Sequence, residues 1–160
     1  MSVTLKAMTL SDFETFREIS LKTYTEDLLR DAAFAGEAEA LKEAEAEFSE
    51  LLPRGLETPG HFLRCIENED GLCVGYLWYD TLGMSKAFID DIYVFPPHRR
   101  KGYAFAALGE MEKVLTVPLI ALHVFEGNDA ARKLYEKASF SYLKMEKAQK
   151  GSLYMFKRIR

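Results

Sequence analysis

The stretch IDDIYVFPPHRRKGYAFAAL, residues 89–108, indicates the centre of the fold because it runs from an apolar strand through a cationic turn into a helix. The apolar residues Ile89, Ile92 and Val94 are separated by three positions and then by two. A regular strand keeps a period of two, so this break in phase predicts a β-bulge. Such a bulge would splay the strand from the next apolar strand, PLIALHVFE, residues 118–126.

The turn places Arg99, Arg100 and Lys101 directly before Gly102 and the start of a helix. The first backbone N–H groups of a helix lack intrahelical partners and lie at the positive end of the helix dipole, so they attract anions. Gly102 and Ala104 are small enough for an anion to approach the backbone. Since neither a Walker pattern nor a G-x-G-x-x-G fingerprint is present, the turn predicts another kind of anion site, with a merely solvated turn as the alternative.

Length and composition indicate one globular domain, residues 1–160. Of these residues 48% are hydrophobic and the net charge is −4, which allows a proper core and argues against nonspecific nucleic-acid binding. Cys65 and Cys73 lack His or Cys partners at zinc spacing, so we expect no metal site and two free, partly buried thiols in a reducing compartment, with a disulfide between them as the alternative. No signal-peptide pattern or apolar run of about 20 residues is present, which predicts a soluble cytoplasmic protein that does not bind membranes.

Periodicity predicts the order strand, helix, helix, three strands, helix, strand, helix, two strands. Thr9 or Ser11 would cap the first helix, and a turn at residues 69–71 would join two strands as a hairpin. The Ala-, Glu- and Leu-rich helix of residues 36–52 is amphipathic, and its glutamates are interpreted as a solvated face. This order implies a mixed sheet with helices on both faces.

Three features of the sequence resemble the GNAT superfamily of N-acetyltransferases. Residues 89–108 are similar to its acetyl-CoA motif, Q/R-x-x-G-x-G/A, with Ala104 in place of the commoner Gly. Residues 122–140, LHVFEGNDAARKLYEKASF, resemble its next segment, in which an Asn opens a helix that carries a Tyr, and Ser139 stands where a Gly is usual. The element order matches over nearly the whole chain. The resemblance, closest to small bacterial members, implies an α/β (α+β) fold: a mixed, mostly antiparallel sheet of about seven strands with a bulged, splayed central strand and helices on both faces.

The same resemblance implies acetyl-CoA as co-substrate and suggests which residues bind it. Backbone groups of Tyr93 and Val94 would hydrogen-bond the pantetheine arm, and Asn128 would also contact it. Tyr135 would place its hydroxyl near the thioester sulfur. The pyrophosphate would be held by the six residues of the turn and the helix start: Arg99, Arg100, Lys101, Gly102, Tyr103 and Ala104.

Acetyl transfer to a primary amine of a small molecule or peptide requires a base, because alkylamines are mostly protonated at neutral pH. Asp90 and Asp91 are the candidate bases. Strand alternation predicts that one of them points into the acceptor cleft, and Asp91 is favoured. Tyr135 is the candidate acid for the leaving thiolate. The alternatives are a structural acid that pairs with a loop and a tyrosine that only fills the core.

The sequence leaves other residues and activities open. His123 could serve in a water relay or be a buried, hydrogen-bonded residue, and His61 and Arg54 could border the acceptor or simply form a turn. A noncatalytic acyl-CoA-binding or sensing module and transfer of a longer acyl group are the alternative functions. The acidic helix of residues 36–52 would suit a cationic amine, a peptide N-terminus or a polyamine, and the resemblance suggests a homodimer formed through the last two strands.

Overall fold

The structure is a computed structural model that describes residues 2–31, 34–143 and 151–160. Its elements over these residues are β1 (Thr4–Ala7), α1 (Leu10–Asp31), α2 (Glu37–Leu51), β2 (His61–Glu67), β3 (Cys73–Asp80), β4 (Lys86–Val94), α3 (Tyr103–Val114), β5 (Leu119–Phe125), α4 (Asp129–Lys137), β6 (Ser141–Leu143) and β7 (Ser152–Arg158). The sheet order is β1-β2-β3-β4-β5-β7-β6, and only β4 and β5 pair in parallel among the described strands. The predicted mixed, mostly antiparallel sheet is therefore confirmed. The sequence predicts a sixth strand over residues 140–148, FSYLKMEKA. Its part over residues 144–148 lies outside the described residues.

Helices cover both faces of the sheet. On the face under α1 and α2, the rings of Phe16, Phe48 and Trp78 meet with centroids 5.7 to 6.1 Å apart. On the face under α3 and α4, Met111 and Tyr135 belong to a second core. Each buried side chain of this size contributes about 1.5–3 kcal/mol, so the two cores hold the helices against the sheet. Within the described ranges, no helix combines the length and apolarity that a bilayer crossing requires.

The two cysteines lie on neighbouring strands under α1. Cys65 on β2 is buried, Cys73 on β3 is partly buried, and both are free thiols. Their mutual hydrogen bond raises the pKa of Cys65 and lowers the pKa of Cys73. Both side chains belong to the apolar core on this face.

Side-chain caps start two of the helices. The Thr9 hydroxyl accepts a hydrogen bond from the Asp12 N–H at 3.1 Å, and the Asp12 carboxylate accepts one from the Thr9 N–H at 2.9 Å. This reciprocal pair is a capping box, so Thr9 rather than Ser11 caps α1. At α4 the Asn128 side-chain oxygen accepts from the Ala131 N–H at 3.2 Å, as the sequence predicts.

The helix α4 ends at a non-glycine residue in the left-handed region. Ser139 has φ = 72°, a conformation that costs a side-chain-bearing residue about 1–2 kcal/mol. Its N–H bonds the Glu136 carbonyl at 3.0 Å, and the Phe140 N–H bonds the Tyr135 carbonyl at 2.9 Å. The chain therefore turns as a glycine cap would turn it, without the glycine.

The central strand β4 contains the predicted bulge. Its register with β3 pairs Tyr79 with Ile89 and Trp78 with Asp91, which leaves Asp90 as an extra, unpaired residue. Two consecutive residues thus lie opposite Trp78, so the side chains of Asp90 and Asp91 both turn to the α1 and α2 face. The expectation that only one of them points into the cleft is therefore wrong.

Beyond the bulge the sheet splits between β4 and β5. Parallel pairing runs from Lys86 with Leu119 to Ile89 with Leu122, although both strands continue further. His123 is exposed because it lies just past this last pair. The alternative of a buried His123 is therefore wrong.

Candidate active site

A cavity of about 430 Å³ lies where β4 and β5 separate, and α1, α2 and α4 complete its walls. Its volume is within the range of small-molecule sites. Four of the predicted site residues line it together: Asp90, Asp91, Asn128 and Tyr135. The sheet split therefore brings both candidate bases and the candidate acid to one cavity.

Asp91 lies in this cavity in a position that suits a base. Burial raises the pKa of Asp91 to about 6, and the negative charge of Asp27 on α1 adds to the rise. The Ser20 hydroxyl and the Ile92 backbone act in the opposite direction. A carboxyl with this pKa is ionised at neutral pH and still accepts a proton readily.

Asp90 has a different environment, although it is the next residue. Burial raises the pKa of Asp90 to about 10, and the carboxyl of Asp80 and the charge of Asp91 add to this rise. Its Oδ2 is buried and has no hydrogen-bond partner among the described residues. Two carboxylates cannot hydrogen-bond each other unless one is protonated, so a proton on Asp90 would satisfy the contact with Asp80. Asp90 is therefore protonated at neutral pH and is a poor base.

Asp80 and Asp90 also lie beside His61, and potential ligand atoms of these three residues are within 4.8 Å of one another. The Trp78 indole N–H donates to His61 Nδ1 at 2.9 Å. A neutral imidazole that accepts at Nδ1 carries its proton on Nε2, and a protonated nitrogen cannot bind a metal. Burial lowers the pKa of His61, which favours this neutral form. The three side chains therefore fit a hydrogen-bonded cluster better than a metal site.

Tyr135 is buried on α4 and contributes to the cavity wall. Burial raises the pKa of Tyr135, and the charge of Asp91 acts in the same direction. Its hydroxyl therefore keeps its proton at neutral pH. None of the residues that the structure describes hydrogen-bonds this hydroxyl, so it is available to donate to a bound molecule. Asn128 uses its side-chain oxygen as the α4 cap, which leaves its NH₂ group for a ligand.

The cationic turn does not line this cavity and lies past the end of β4. Arg100 and Gly102 both have positive φ, 63° and 85°, and the first helical bond of α3 runs from the Ala106 N–H to the Gly102 carbonyl. The N–H groups before Ala106 thus have no intrahelical partner. Arg100, Lys101 and Gly102 are exposed. This geometry keeps the turn open to an anion.

Arg99 turns back toward the strand. Its Nε donates to the Val94 carbonyl at 2.8 Å, and its guanidinium lies 5.1 Å from the centre of the Tyr93 ring. One acceptor position of the carbonyl predicted to bind pantetheine is therefore used by Arg99. At the start of α3, Tyr103 and Ala104 are partly buried, and Tyr103 packs edge-on against His98.

Several cavity residues are absent from the sequence-based prediction. Glu43 and Glu47 on α2 line the cavity. Glu47 is partly buried, so the interpretation of the α2 glutamates as a solvated face is wrong for this residue, whereas Glu43 is exposed as predicted. Their spacing of four residues on one helix face was the available signal. His61 and Arg54 do not line the cavity, and Ser20 and Asp27, which do, carry no local motif.

Comparison with known proteins identifies relatives over most of the chain. Residues 14–140 match the family described as Acetyltransferase (GNAT) family. YycN of Bacillus subtilis (strain 168), described as an uncharacterized N-acetyltransferase, is 34% identical over 146 residues, covering 88% of this chain and 93% of its own. Its crystal structure covers 92% of this chain and 98% of its own, with a TM-score of 0.83.

Two further proteins are similar. YdgE of Bacillus subtilis (strain 168), also described as an uncharacterized N-acetyltransferase, is 32% identical over 147 residues, covering 88% of this chain and 93% of its own. The PaiA N-acetyltransferase of Thermoplasma acidophilum, crystallised with coenzyme A, shares the fold with a TM-score of 0.72. It is 16% identical, and the alignment covers 99% of each chain.

We expect Asp90→Asn to relieve a pH-dependent loss of stability. The folded protein holds the Asp90 proton up to about pH 10, whereas the ordinary pKa of the side chain is 3.8. The folded state therefore binds more protons between these values, so Asp90 lowers the free energy of unfolding as pH rises. In urea unfolding, the stability difference between variant and wild type should grow by at least about 1 kcal/mol from pH 5 to pH 8.

The matched control is Asp70→Asn, which changes an exposed aspartate in the turn between β2 and β3. Its stability difference from wild type should stay constant over the same pH range. A constant difference for Asp90→Asn as well would contradict the protonated state of Asp90.

Proposed function

The chain belongs to the GNAT acetyltransferase family, and we propose that it transfers the acetyl group of acetyl-CoA to a primary amine by direct attack of that amine. The observation that carries this proposal is the pairing of Asp91 and Tyr135 in one cavity. The pKa of Asp91 is about 6 and the pKa of Tyr135 is raised. One residue is thus ionised and the other protonated at neutral pH, as a base and an acid need to be.

The proposed coenzyme site begins at the turn before α3. Exposed cations and the N–H groups of the helix start support binding of the pyrophosphate at Arg99, Arg100, Lys101, Gly102, Tyr103 and Ala104. The pantetheine arm would follow β4 past Val94 and Tyr93 into the split, as an added strand would. The Val94 carbonyl that Arg99 holds has a second acceptor position, and Arg99 can also move to the pyrophosphate. Asn128 would meet the arm near the cavity.

The ammonium form of the acceptor gives one proton to Asp91, which passes it to solvent. The free lone pair then forms the N–C bond to the thioester carbonyl, and the C–S bond breaks. Tyr135 protonates the leaving thiolate and regains a proton from the nitrogen as the amide forms. Asp90, protonated beside Asp80, would act on the electrostatics of Asp91 rather than as the base.

The family match does not favour the alternative of a noncatalytic acyl-CoA sensor. The direct test measures release of free CoA from acetyl-CoA with a panel of primary amines. Release that depends on the amine supports the transferase. Tight acetyl-CoA binding without CoA release for any amine would contradict it. Faster CoA release from a longer acyl-CoA would show that the transferred group is a longer acyl group and not acetyl.

We expect Asp91→Asn to lower kcat by about 10²–10⁴-fold at pH 7.5, because the amide cannot take the acceptor's proton. In the wild type, kcat/KM should rise with pH through about 6 as Asp91 ionises. The variant should lose this limb of the profile. Steady-state CoA release from pH 5 to pH 9 measures both effects. A larger loss in Asp90→Asn than in Asp91→Asn would reverse the assignment of the base.

We expect Tyr135→Phe to lower kcat by at least about tenfold while changing acetyl-CoA affinity by less than about threefold, because it removes only the proton donor. Single-turnover kinetics and calorimetric titration of acetyl-CoA separate the two quantities. Tyr79→Phe is the control, since Tyr79 is buried on β3 but does not line this cavity. An unchanged single-turnover rate in Tyr135→Phe would exclude Tyr135 from the chemistry.

A further inference from the structure

One wall of the cavity is a row of carboxylates on α1 and α2. Asp27, Glu43 and Glu47 all line the cavity and face β4, which carries Asp91. Their charges act on shared neighbours. Burial is the largest cause that raises the pKa of Tyr24. The hydrogen bond to Glu47 and the charges of Glu47, Glu43 and Asp27 raise it further. Asp27 also raises the pKa of Asp91. The acids of α1 and α2 therefore act electrostatically on Tyr24, and Asp27 also acts on the proposed base Asp91.

Most of this negative charge has no cationic partner in the described part of the chain. Asp27 is paired with Arg30 at 2.9 Å, and Arg30 also binds Asp31. Glu47 accepts a hydrogen bond from the neutral Tyr24 hydroxyl. No lysine or arginine is among the described lining residues, and burial together with Lys86 lowers the pKa of the lining His123. Glu43, Glu47 and Asp91 thus face the cavity without an ion-pair partner within the described ranges.

The rest of the cavity wall also suits a cationic ligand. Aromatic side chains also line the cavity, among them Phe48, Trp78 and Phe125. Such a wall suits methylene groups, and aromatic faces also attract ammonium groups. The cavity volume of about 430 Å³ suits a small molecule.

We propose that the acceptor is a small linear diamine or polyamine. One amine would react beside Asp91, and a second ammonium group would bind Glu43 and Glu47, with the methylene chain between them against the aromatic wall. This inference rests on the proposed acetyl transfer. It accounts for a carboxylate row that acetyl transfer to an uncharged or singly charged acceptor does not need.

The test compares 1,5-diaminopentane with pentylamine, which share a five-carbon chain and differ by one ammonium group. Wild-type protein should release CoA with a kcat/KM at least about tenfold higher for the diamine, since a charge-assisted contact is lost with the monoamine. Glu43→Gln should raise KM for the diamine by about tenfold and leave pentylamine unchanged. Glu43 is the better choice than Glu47, because Glu47 also holds Tyr24.

The matched control is Glu45→Gln, which removes the same charge from an exposed position of α2 outside the cavity. It should leave both acceptors unchanged. Equal kcat/KM for the two acceptors in the wild type, or equal effects of Glu43→Gln and Glu45→Gln, would overturn the proposal.

Calorimetric titration of both amines separates failure of this inference from failure of acetyl transfer. In one outcome the protein binds the diamine preferentially, Glu43→Gln weakens this binding, and no amine causes CoA release. This outcome would support the dication site and contradict the transferase. CoA release with pentylamine, without preferential diamine binding, would keep the transferase and overturn the dication site. A basic peptide that outcompetes the diamine would also overturn it, in favour of a macromolecular acceptor.

Discussion

One extra residue in the central strand determines the site. Asp90 has no partner in the ladder between β3 and β4, so β4 bends and twists at that point. Pairing with β5 ends at Ile89 and Leu122, one residue before the bulge. The resulting split makes room for the cavity and places α4, with Tyr135, across from Asp91. The fold is otherwise a sheet with two ordinary apolar cores.

The same bulge sets the electrostatics of the site. It turns two consecutive carboxyl groups to one face, where neither has full access to water. Asp90 meets the carboxyl of Asp80, whereas Asp91 meets the Ser20 hydroxyl and the Ile92 backbone. Their pKa values therefore separate to about 10 and about 6. Buried acids of this kind lower stability, which is a usual consequence of shaping a site for proton transfer.

Local patterns in the sequence were sufficient to predict the backbone features that form the site. The spacing of Ile89, Ile92 and Val94 predicted the bulge. The Asn128 cap and the cationic turn could also be predicted, because each depends on neighbours within a few residues. The family resemblance supplied the order of strands. The roles of the individual residues remain predictions, although the four that line the cavity do come together.

What the sequence could not predict depends on contacts between distant elements. Asp80 and Asp90 are ten positions apart and meet only through the register of β3 and β4. Glu43 and Glu47 look like any exposed glutamates of an amphipathic helix, and only the position of the sheet split makes them part of a cavity wall. Strand alternation predicted one inward carboxyl at the bulge. This prediction was wrong because the period of two does not hold where a residue is inserted.

Acetyl-CoA titration of a protein that lacks the bulge measures directly whether the bulge forms the site. Deletion of Asp90 removes the unpaired residue, while Ile89 and Asp91 keep the faces that a regular strand would give them. Asp90→Ala keeps the bulge and removes only the carboxyl. Near-UV circular dichroism verifies that both variants are folded. The deletion should weaken acetyl-CoA binding by at least about tenfold, or about 1.4 kcal/mol. Asp90→Ala should stay within about threefold of wild type, or under about 0.7 kcal/mol. A folded deletion variant that binds acetyl-CoA as tightly as Asp90→Ala would contradict the role of the bulge in forming the site.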